Sequence, residues 1–289
     1  MNRVLSLLAL MTLALSGCSS SGSGPGGESD PELLKVALLP DESPGTVIAN
    51  NQKLKEYLER ELGRKIEIVV TTDYSTMIEA ARHGRIDLAY FGPLSYVLAR
   101  QKTEIEPFAA LKTHGSTTYQ AVLIGNVAAG IESVDSVKDK DVAFGDTAST
   151  SSHLIPRAML AEKGLKADVD YKAHFVGAHD AVALTVQNGK AQAGGLSKPI
   201  FESLIERGVI DRNKVKVLQE SSPFPQYPWT MRSNLKPELK ERIRHAFLSL
   251  KNADVLRPFK AEGFGPITDR DYDVVRDLGK LLNLDLSKL

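Results

Sequence analysis

Short apolar runs alternate with helical segments along most of this chain, and this alternation limits the fold more than any other feature. Residues 34–39 and 66–70 are apolar runs of strand length, and residues 46–62 between them carry apolar side chains at helical spacing before Gly63. Two strands joined by a crossover of this length pair in parallel in a right-handed unit. The pattern recurs up to residue 218, so we predict an α/β protein with mostly parallel sheets.

The two halves of the chain contain similar segments. Residues 81–93 and 186–199 each run from a helix end through a glycine, a basic residue, a strand and a further glycine to a proline that can begin a helix. This repetition predicts two similarly built lobes, although chance similarity between α/β units would give the same pattern. At roughly 100–200 residues per domain, 289 residues suffice for two modest lobes.

Two connecting segments set the boundaries that we predict for these lobes. Residues 119–125 form an apolar strand that leaves the first half, and residues 221–229 carry three prolines, which disfavour a helix and suit an extended return segment. We therefore assign lobe 1 to residues 31–122 together with 226–289, and lobe 2 to residues 123–225, with a two-segment hinge between them.

The first thirty residues are typical of an export and anchoring signal. Residues 1–17 place Arg3 before an apolar run shorter than the roughly 20 residues of a membrane-spanning helix, which fits a cleavable signal peptide. Residues 15–18 resemble the lipobox of bacterial lipoproteins, with Cys18 as the lipid attachment site, and residues 18–30 form a Ser/Gly-rich tether. We expect a lipid anchor in a bacterial envelope membrane, in the periplasm or on the outer face of the cytoplasmic membrane. The alternative is an ordinary signal peptide with a chance cysteine.

Charge and cysteine content exclude several classes of function. The chain has 36 Lys and Arg residues against 36 Asp and Glu residues, so it lacks the basic field that nucleic-acid binding requires. A single cysteine excludes a disulfide framework and a Cys-rich metal site, and the six histidines show no metal-binding spacing. We expect no nucleic-acid partner, no metal and no cofactor.

A hydroxyl-rich loop follows the predicted strand that ends at Phe144. We expect a helix to begin near Ser151 or Ser152, which places free backbone N–H groups and the hydroxyls of Ser149, Thr150 and Ser151 around one helix N-terminus. Residues 145–152 contain no Lys or Arg, so an anion held here would be bound by neutral donors. Simple capping of the helix by serines is the alternative interpretation.

Other polar side chains follow predicted strands, where open α/β sheets place their ligands. Tyr74 can donate a phenolic hydrogen bond, and His179 can donate an imidazole N–H or add positive charge. Each also has an ordinary structural interpretation, because isolated tyrosines mostly pack in cores and a histidine before a helix is often a cap.

The chain resembles the periplasmic binding components of phosphonate and phosphite ABC transporters over nearly all of residues 34–285. The residues that carry the resemblance are Asp73-Tyr74, Ala89-Tyr90-Phe91-Gly92, Gly145-Asp146 with Ser149-Thr150-Ser151, Ala178-His179, and Gly263-Phe264-Gly265-Pro266. The resemblance implies a type II periplasmic-binding-protein fold, in which two α/β lobes close over the ligand in a cleft. It also implies a non-enzymatic protein whose partner is an ABC permease in the cytoplasmic membrane.

The resemblance further implies which residues bind the ligand. The Ser149, Thr150 and Ser151 run would hold the phosphonate oxygens, with Tyr74 from the first lobe and His179 from the second completing the site. Some members of the family have a tyrosine where this chain has Phe91, which can only pack. The remaining candidates are Tyr90, which faces either the ligand or away from it, Ser152, which adds a donor or caps the helix, and Asp180.

The predicted ligand is a small phosphorus oxyanion. In members of the family that bind aminoalkyl-phosphonates, carboxylates hold the ligand ammonium, whereas residues 194–198 here offer a lysine and no acid. We therefore favour phosphite or a methylphosphonate-like ligand, and we expect phosphate to be rejected because its additional oxygen would be buried without a partner. The alternatives are another oxyanion, an aminoalkyl-phosphonate, or an exported hydrolase using Ser151, His179 and Asp180, although no G-x-S-x-G motif is present.

Overall fold

The computed structural model describes residues 27–282 and residue 284, so Cys18 and the predicted signal peptide lie outside the described residues. The strands are Leu33–Leu38 (β1), Lys65–Val70 (β2), Leu88–Tyr90 (β3), Ile105–Lys112 (β4), Thr118–Tyr119 (β5), Ala121–Asn126 (β6), Asp141–Phe144 (β7), Lys172–Phe175 (β8), Ala193–Ser197 (β9), Val215–Glu220 (β10), Phe224–Pro225 (β11), Pro228–Arg232 (β12) and Gly263–Gly265 (β13). The helices are Pro44–Leu62 (α1), Tyr74–Arg82 (α2), Pro93–Lys102 (α3), Ile155–Glu162 (α4), His179–Gln187 (α5), Lys198–Glu206 (α6), Pro237–Ser249 (α7), Ala253–Leu256 (α8) and Asp273–Leu281 (α9).

These strands form two larger sheets and one small pair. A six-stranded sheet has the order β13-β4-β12-β3-β1-β2, and a five-stranded sheet has the order β10-β6-β9-β7-β8. The chain passes from the first sheet to the second before β6 and returns before β12, and the short strands β5 and β11 pair where the two passages lie side by side.

The sequence predicted mostly parallel sheets, and this prediction is wrong, because most strand pairs are antiparallel. The pairs β1–β2, β1–β3, β7–β8 and β7–β9 are parallel, and the other pairs in the two larger sheets are antiparallel. Strands β6 and β12 carry the chain from one sheet to the other and enter their sheets from the opposite end. Each of them lies between two strands that helical crossovers have aligned in parallel. Each sheet is therefore mixed. In the six-stranded sheet β1 to β4 share one direction and β12 and β13 the other, and in the five-stranded sheet β6 runs opposite to the remaining strands.

Helices cover the sheets through three apolar clusters. Helices α1 and α7 pack on the six-stranded sheet, where Leu54 and Phe247 are fully buried, and α5 and α6 pack on the five-stranded sheet. A third cluster takes residues from both sheets, including Phe91 and Phe144. Gly195 allows the closest approach, because an added Cβ would lie 2.3 Å from the Pro156 ring. Within the described residues, no helix combines the length and apolar character needed to cross a bilayer.

Candidate functional site

The loop after β7 turns sharply from strand to helix. An added Cβ on Gly145 would lie 2.7 Å from the Ser152 hydroxyl oxygen, so glycine is needed where the loop folds back on itself. One π-helical turn, Thr150–Leu154, runs directly into α4, so helical structure begins within two residues of the predicted start near residue 151 or 152. The wider first turn has a physical reason: inside a regular helix the Pro156 ring would clash with the carbonyl four residues earlier, and the π-helical turn avoids that clash.

We call residues 149–152 the hydroxyl loop, and three of its four hydroxyl oxygens already have partners. The Ser149 oxygen accepts from Ser152 N at 3.1 Å, and the Thr150 oxygen accepts from Leu94 N at 2.7 Å. Ser152 donates its proton to Gly195 O at 2.5 Å, which commits that hydroxyl to holding the loop on β9. Ser149 and Thr150 keep their own protons for a further acceptor, because in these contacts their oxygens only accept.

The remaining hydroxyl is one of four buried polar atoms in this region that have no hydrogen-bond partner. They are Ser151 Oγ, Tyr74 Oη, Tyr119 Oη and His179 Nε2. Tyr74 begins α2 beside the six-stranded sheet, Tyr119 ends β5, and Ser151 and His179 lie beside the five-stranded sheet. Buried polar groups are rarely left unpaired, so this set, which we call the four-donor cage, points to a ligand that accepts from all four atoms.

Every member of the four-donor cage is neutral at physiological pH. Burial lowers the pKa of His179 to about 3, and Nδ1 of its ring accepts from Ser197 N at 3.1 Å, so the proton resides on Nε2. Burial raises the pKa of Tyr74 and of Tyr119, which keeps both phenols protonated. The idea that His179 adds positive charge is therefore wrong, because its burial disfavours the imidazolium.

Three further residues were predicted for the site from the sequence. Phe91 and Asp180 make contacts within the fold, and Tyr90 lines a cavity. Phe91 is fully buried in the core, as expected of a side chain that can only pack. The Asp180 carboxylate accepts from Ser43 N at 3.1 Å and from Ala181 N at 2.8 Å rather than from His179. Tyr90 contacts the rings of Tyr227 and Trp229 and faces a cavity beside the cage. Serine, histidine and aspartate thus form no relay of the kind a Ser/His hydrolase needs.

The cavity has a volume of about 450 Å³ and adjoins the cage at Tyr119 and Ser197. Its polar walls come from several elements, and they include Asp41, Glu42, Asn50, Asn51, Tyr90, His114, Gln120, Lys198, Glu202, Gln226, Tyr227 and Lys260. Residues 194–198 lack an acid, but the cavity receives carboxyl groups from elsewhere in the chain. These carboxyl groups weaken the argument by which the sequence favoured a ligand without an amino group.

We call residues 41–43 the acidic loop; it lies between β1 and α1 and contributes Asp41 and Glu42 to the cavity wall. Asp41 O accepts from His179 N at 2.9 Å, and Glu42 forms an ion pair with Arg207. Burial and the nearby charge of Glu42 raise the pKa of the Asp41 carboxyl to about 7. Among the described residues, that carboxyl has neither an ion-pair partner nor a hydrogen bond from another side chain.

Sequence reasoning missed Asp41, Tyr119 and Tyr227. Asp41 lies just beyond a strand end, so the rule that drew attention to Tyr74 and His179 would also have found it after β1. Tyr119 and Tyr227 lie in the two passages between the sheets, where their sequence context favours an apolar strand and a proline-rich segment. No local pattern separates these two tyrosines from packing residues.

Within the described residues, no group of three or more His, Cys, Asp or Glu side chains has an arrangement that could hold a metal ion. The site offers uncharged donors and, in the adjoining cavity, a carboxyl without an ion-pair partner among the described residues. Such an arrangement can bind a small anion and has no activated nucleophile.

Comparison with known proteins shows what the chain is similar to. A family model described as "ABC transporter, phosphonate, periplasmic substrate-binding protein" matches residues 36–272. The chain is 29% identical to the phosphate-import protein PhnD of Mycolicibacterium smegmatis over 307 residues, covering 95% of this chain and 94% of that protein. It is 24% identical to a probable ABC transporter phosphite binding protein, PhnD1, of Prochlorococcus marinus, covering 88% of this chain and 91% of that protein.

A solved structure shares the fold. The structure of PhnD1 from Prochlorococcus marinus in complex with methylphosphonate superposes with a TM-score of 0.81 at 22% identity, covering 88% of this chain and 99% of that one. The two mixed α/β sheets therefore form a type II periplasmic-binding-protein fold, as predicted.

Proposed function

The chain belongs to the family of phosphonate ABC transporter periplasmic substrate-binding proteins, and we propose that it is a lipid-anchored receptor for phosphite or a methylphosphonate-like anion. Members of this family deliver substrate to a transporter and are not enzymes. The protein is thus the substrate-binding component of a phosphonate or phosphite importer. The anchor, the ligand and the binding residues are our proposal.

The observation that carries this proposal is the four-donor cage. A buried polar group without a partner costs about 1–3 kcal/mol, so four of them in one place imply a ligand that accepts their hydrogen bonds. Three oxygens on one phosphorus atom can accept from Ser151, Tyr74, Tyr119 and His179, with Ser149 and Thr150 as further donors. Hydrogen bonds to an anion contribute roughly 1.5–3 kcal/mol each, so neutral donors suffice to hold it.

We propose that the ligand closes two lobes, with lobe 1 formed by residues 31–122 and 226–289 and lobe 2 by residues 123–225. The cage takes donors from both assigned lobes, so an anion between them stabilises the closed form selectively. Backbone contacts across the cleft support this closure. Tyr74 N donates to Asp146 at 3.2 Å, and His179 N donates to Asp41 O at 2.9 Å.

Inorganic phosphate is a second candidate ligand. The mycobacterial relative is named a phosphate-import protein, and in this chain polar groups line the cavity beside the cage. An additional oxygen that points into this cavity meets Asp41 or Gln226 rather than an apolar wall, which removes the reason we gave for rejecting phosphate.

Isothermal titration of the purified protein against phosphite, methylphosphonate, phosphate, 2-aminoethylphosphonate and sulfate tests the ligand. We expect the tightest binding with phosphite or methylphosphonate. Failure of both to bind would refute the preferred ligand, and tighter binding of phosphate would favour the second candidate.

The lipid anchor needs its own experiment, because Cys18 lies outside the described residues. We expect the mature protein to carry a diacylglyceryl group on Cys18, which mass spectrometry of the membrane fraction detects. A Cys18→Ser variant should leave the membrane fraction. If this variant stays membrane-bound, or the wild-type cysteine carries no lipid, the protein is exported without an anchor.

A further inference from the structure

We propose that Asp146 is a positioning residue for ligand binding: from lobe 2 it caps the start of helix α2 in lobe 1, and this contact holds the Tyr74 hydroxyl against the hydroxyl loop. Asp146 acts through Tyr74 and does not itself contact the ligand. This inference rests on the proposed function, and it adds a residue beyond those that the sequence placed in the site.

Asp146 uses its two carboxylate oxygens on different lobes. Oδ1 accepts from Ala148 N at 2.8 Å, within its own loop, and Oδ2 accepts from Tyr74 N at 3.2 Å, in the first residue of α2. The N–H groups at a helix start have no acceptor inside the helix, and the helix dipole favours a negative charge there. One carboxylate therefore ties the loop that carries residues 149–151 to the helix that carries Tyr74.

The cap that α2 has within its own lobe serves a different N–H group. Asp73, the residue before α2, accepts from Thr76 N at 2.6 Å, whereas the acceptor of Tyr74 N is Asp146. At the far end of the Tyr74 side chain, burial raises the pKa of the phenol, and the Ser149 side chain lies close enough to oppose that rise. Helix α2 thus meets the connection after β7 at two points, with its backbone at Asp146 and with its first side chain near Ser149.

The same arrangement recurs at other helix starts along the cleft. Asp180 accepts from Ser43 N before α1, and Thr150 accepts from Leu94 N in the first turn of α3. The contact of Asp180 is exposed, and Thr150 is itself a proposed ligand donor. Asp146 is partly buried and is not a proposed donor, so its substitution separates the contact between the lobes from contact with the ligand.

The charge of Asp146 makes a positioning role distinguishable from simple electrostatics. Burial raises the pKa of the Asp146 carboxyl, as does the nearby charge of Asp73, and the hydrogen bonds from Ala148 N and Tyr74 N oppose that rise. A carboxylate near an anion site repels the anion, so removal of its charge alone would tighten binding. A positioning role predicts the opposite sign, because the loss of the contact with Tyr74 N displaces a ligand donor.

Asp146→Asn and Asp73→Asn form a matched pair, because each removes one carboxylate charge at the start of α2. In Asp146→Asn the amide oxygen can still accept from Ala148 N, but the amide nitrogen then faces Tyr74 N, donor against donor. Asp73→Asn keeps the local cap, because asparagine caps a helix as well as aspartate does. We expect calorimetry to show phosphite binding about tenfold weaker in Asp146→Asn and no weaker in Asp73→Asn, with melting curves as the check on folding.

A double-mutant cycle with Tyr74→Phe tests whether Asp146 acts through Tyr74. Tyr74→Phe removes the phenolic donor and keeps the backbone N–H. We expect Asp146→Asn to weaken phosphite binding about tenfold in the wild-type background and less than about threefold in the Tyr74→Phe background. An equal loss in both backgrounds would mean that Asp146 acts without Tyr74, which overturns the positioning role.

Hydrogen exchange of the wild-type complex gives a measurement that does not depend on the folding of a variant. Glu238 is the reference, since its N–H lies at the exposed start of α7, also in the first turn of a helix. After correction for intrinsic rates, we expect the Tyr74 N–H to exchange at least about tenfold more slowly than the Glu238 N–H when phosphite is bound. Equal exchange would mean that the contact with Asp146 is not made in the complex.

The outcomes separate this inference from the proposed function. If wild type binds no phosphorus oxyanion, both fail. If wild type binds phosphite and Asp146→Asn binds it as tightly or more tightly, the role of Asp146 is refuted while the receptor function stands. A loss in Asp73→Asn equal to that in Asp146→Asn would also refute it, because the start of α2 rather than the contact between the lobes would then set the affinity.

Discussion

The hydroxyl loop and the acidic loop are built alike and present opposite chemistry. Each follows a strand that ends beside the cleft, and each leads into a helix with proline in its first turn, Pro156 in α4 and Pro44 in α1. The first supplies uncharged donors with few other partners, and the second supplies carboxyl groups. The comparison teaches that the same strand-to-helix connection can present uncharged donors or carboxyl groups to one site, depending on the side chains that it carries.

Ser151→Ala should have the largest effect on affinity and tests whether the hydroxyl loop supplies the binding energy. Loss of one hydrogen bond to an anion weakens binding by about 10–100-fold. Folding should be unchanged, because the Ser151 hydroxyl has no partner in the ligand-free protein. Calorimetry and a melting curve measure both quantities.

Ser152→Ala is the matched control within the same loop. Its hydroxyl donates to Gly195 O at 2.5 Å, so the variant leaves a buried carbonyl unpaired and loses about 1–3 kcal/mol of stability. If Ser152→Ala weakens binding more than Ser151→Ala does, the assignment of donors within the hydroxyl loop is wrong.

Tyr119→Phe tests whether the passage between the two sheets contributes a donor to the cage. We expect about a tenfold loss of affinity, because a buried phenol that donates to the ligand is removed without a change in shape. Tyr96→Phe is the control, since the Tyr96 hydroxyl donates to Asp269 at 2.6 Å, away from the cavity. Equal effects of the two variants on affinity would remove Tyr119 from the cage.

Asp41→Asn should alter the pH dependence of stability through the acidic loop. The folded pKa of about 7 lies above the ordinary value of 3.8 for an aspartate, so the ligand-free folded state retains a proton that the unfolded chain loses, and stability falls as pH rises from about 4 to 7. His179 acts in the opposite sense, since its pKa is lowered from 6.5 to about 3 and its contribution is lost as pH falls. Melting temperatures of wild type and variant should therefore diverge on going from pH 5 to pH 8, with the variant the more stable at pH 8. Parallel curves would contradict the shift.

Asp180→Ala should have the smallest effect, because it removes an exposed contact that joins the acidic loop to α5. Ser43 N loses its acceptor at 3.1 Å, and an exposed contact of this kind changes affinity by no more than about threefold. We expect this change in affinity to arise from the rate of ligand dissociation, which stopped-flow fluorescence measures. A loss comparable to that of Ser151→Ala would mean that Asp180 contacts the ligand.

Much of the architecture was predictable from the spacing of apolar residues and from glycine positions. The helix that ends at Gly63, the strand that ends at Phe144 and the helix that starts near His179 lie within a few residues of their predicted bounds. The pairing of β6 and β12 was not predictable, because local periodicity contains no information about the end from which a strand enters a sheet.

The candidate site also contains residues that the sequence predicted and residues that it did not. Ser151, Tyr74 and His179 were predicted because they follow strands in an α/β pattern and match a family motif, and their buried, unpaired atoms support that prediction without testing it. Tyr119 and Asp41 reach the same space from a passage between the sheets and from the loop after β1. Tyr119 lies in no pattern that marks a polar site, whereas Asp41 follows a strand end and was overlooked there.

The sequence by itself determined the alternation of strands and helices, the absence of basic residues from residues 145–152, and the family motifs, because each depends on residues close together in the chain. Only the tertiary structure decided which hydroxyls keep their protons free, that His179 is neutral, and that an unpaired carboxyl faces the cage. The physical reason is that hydrogen-bond partners and burial are set by residues distant in sequence. Thr150 meets Leu94, Ser152 meets Gly195, and Asp41 meets His179 only after the chain has folded.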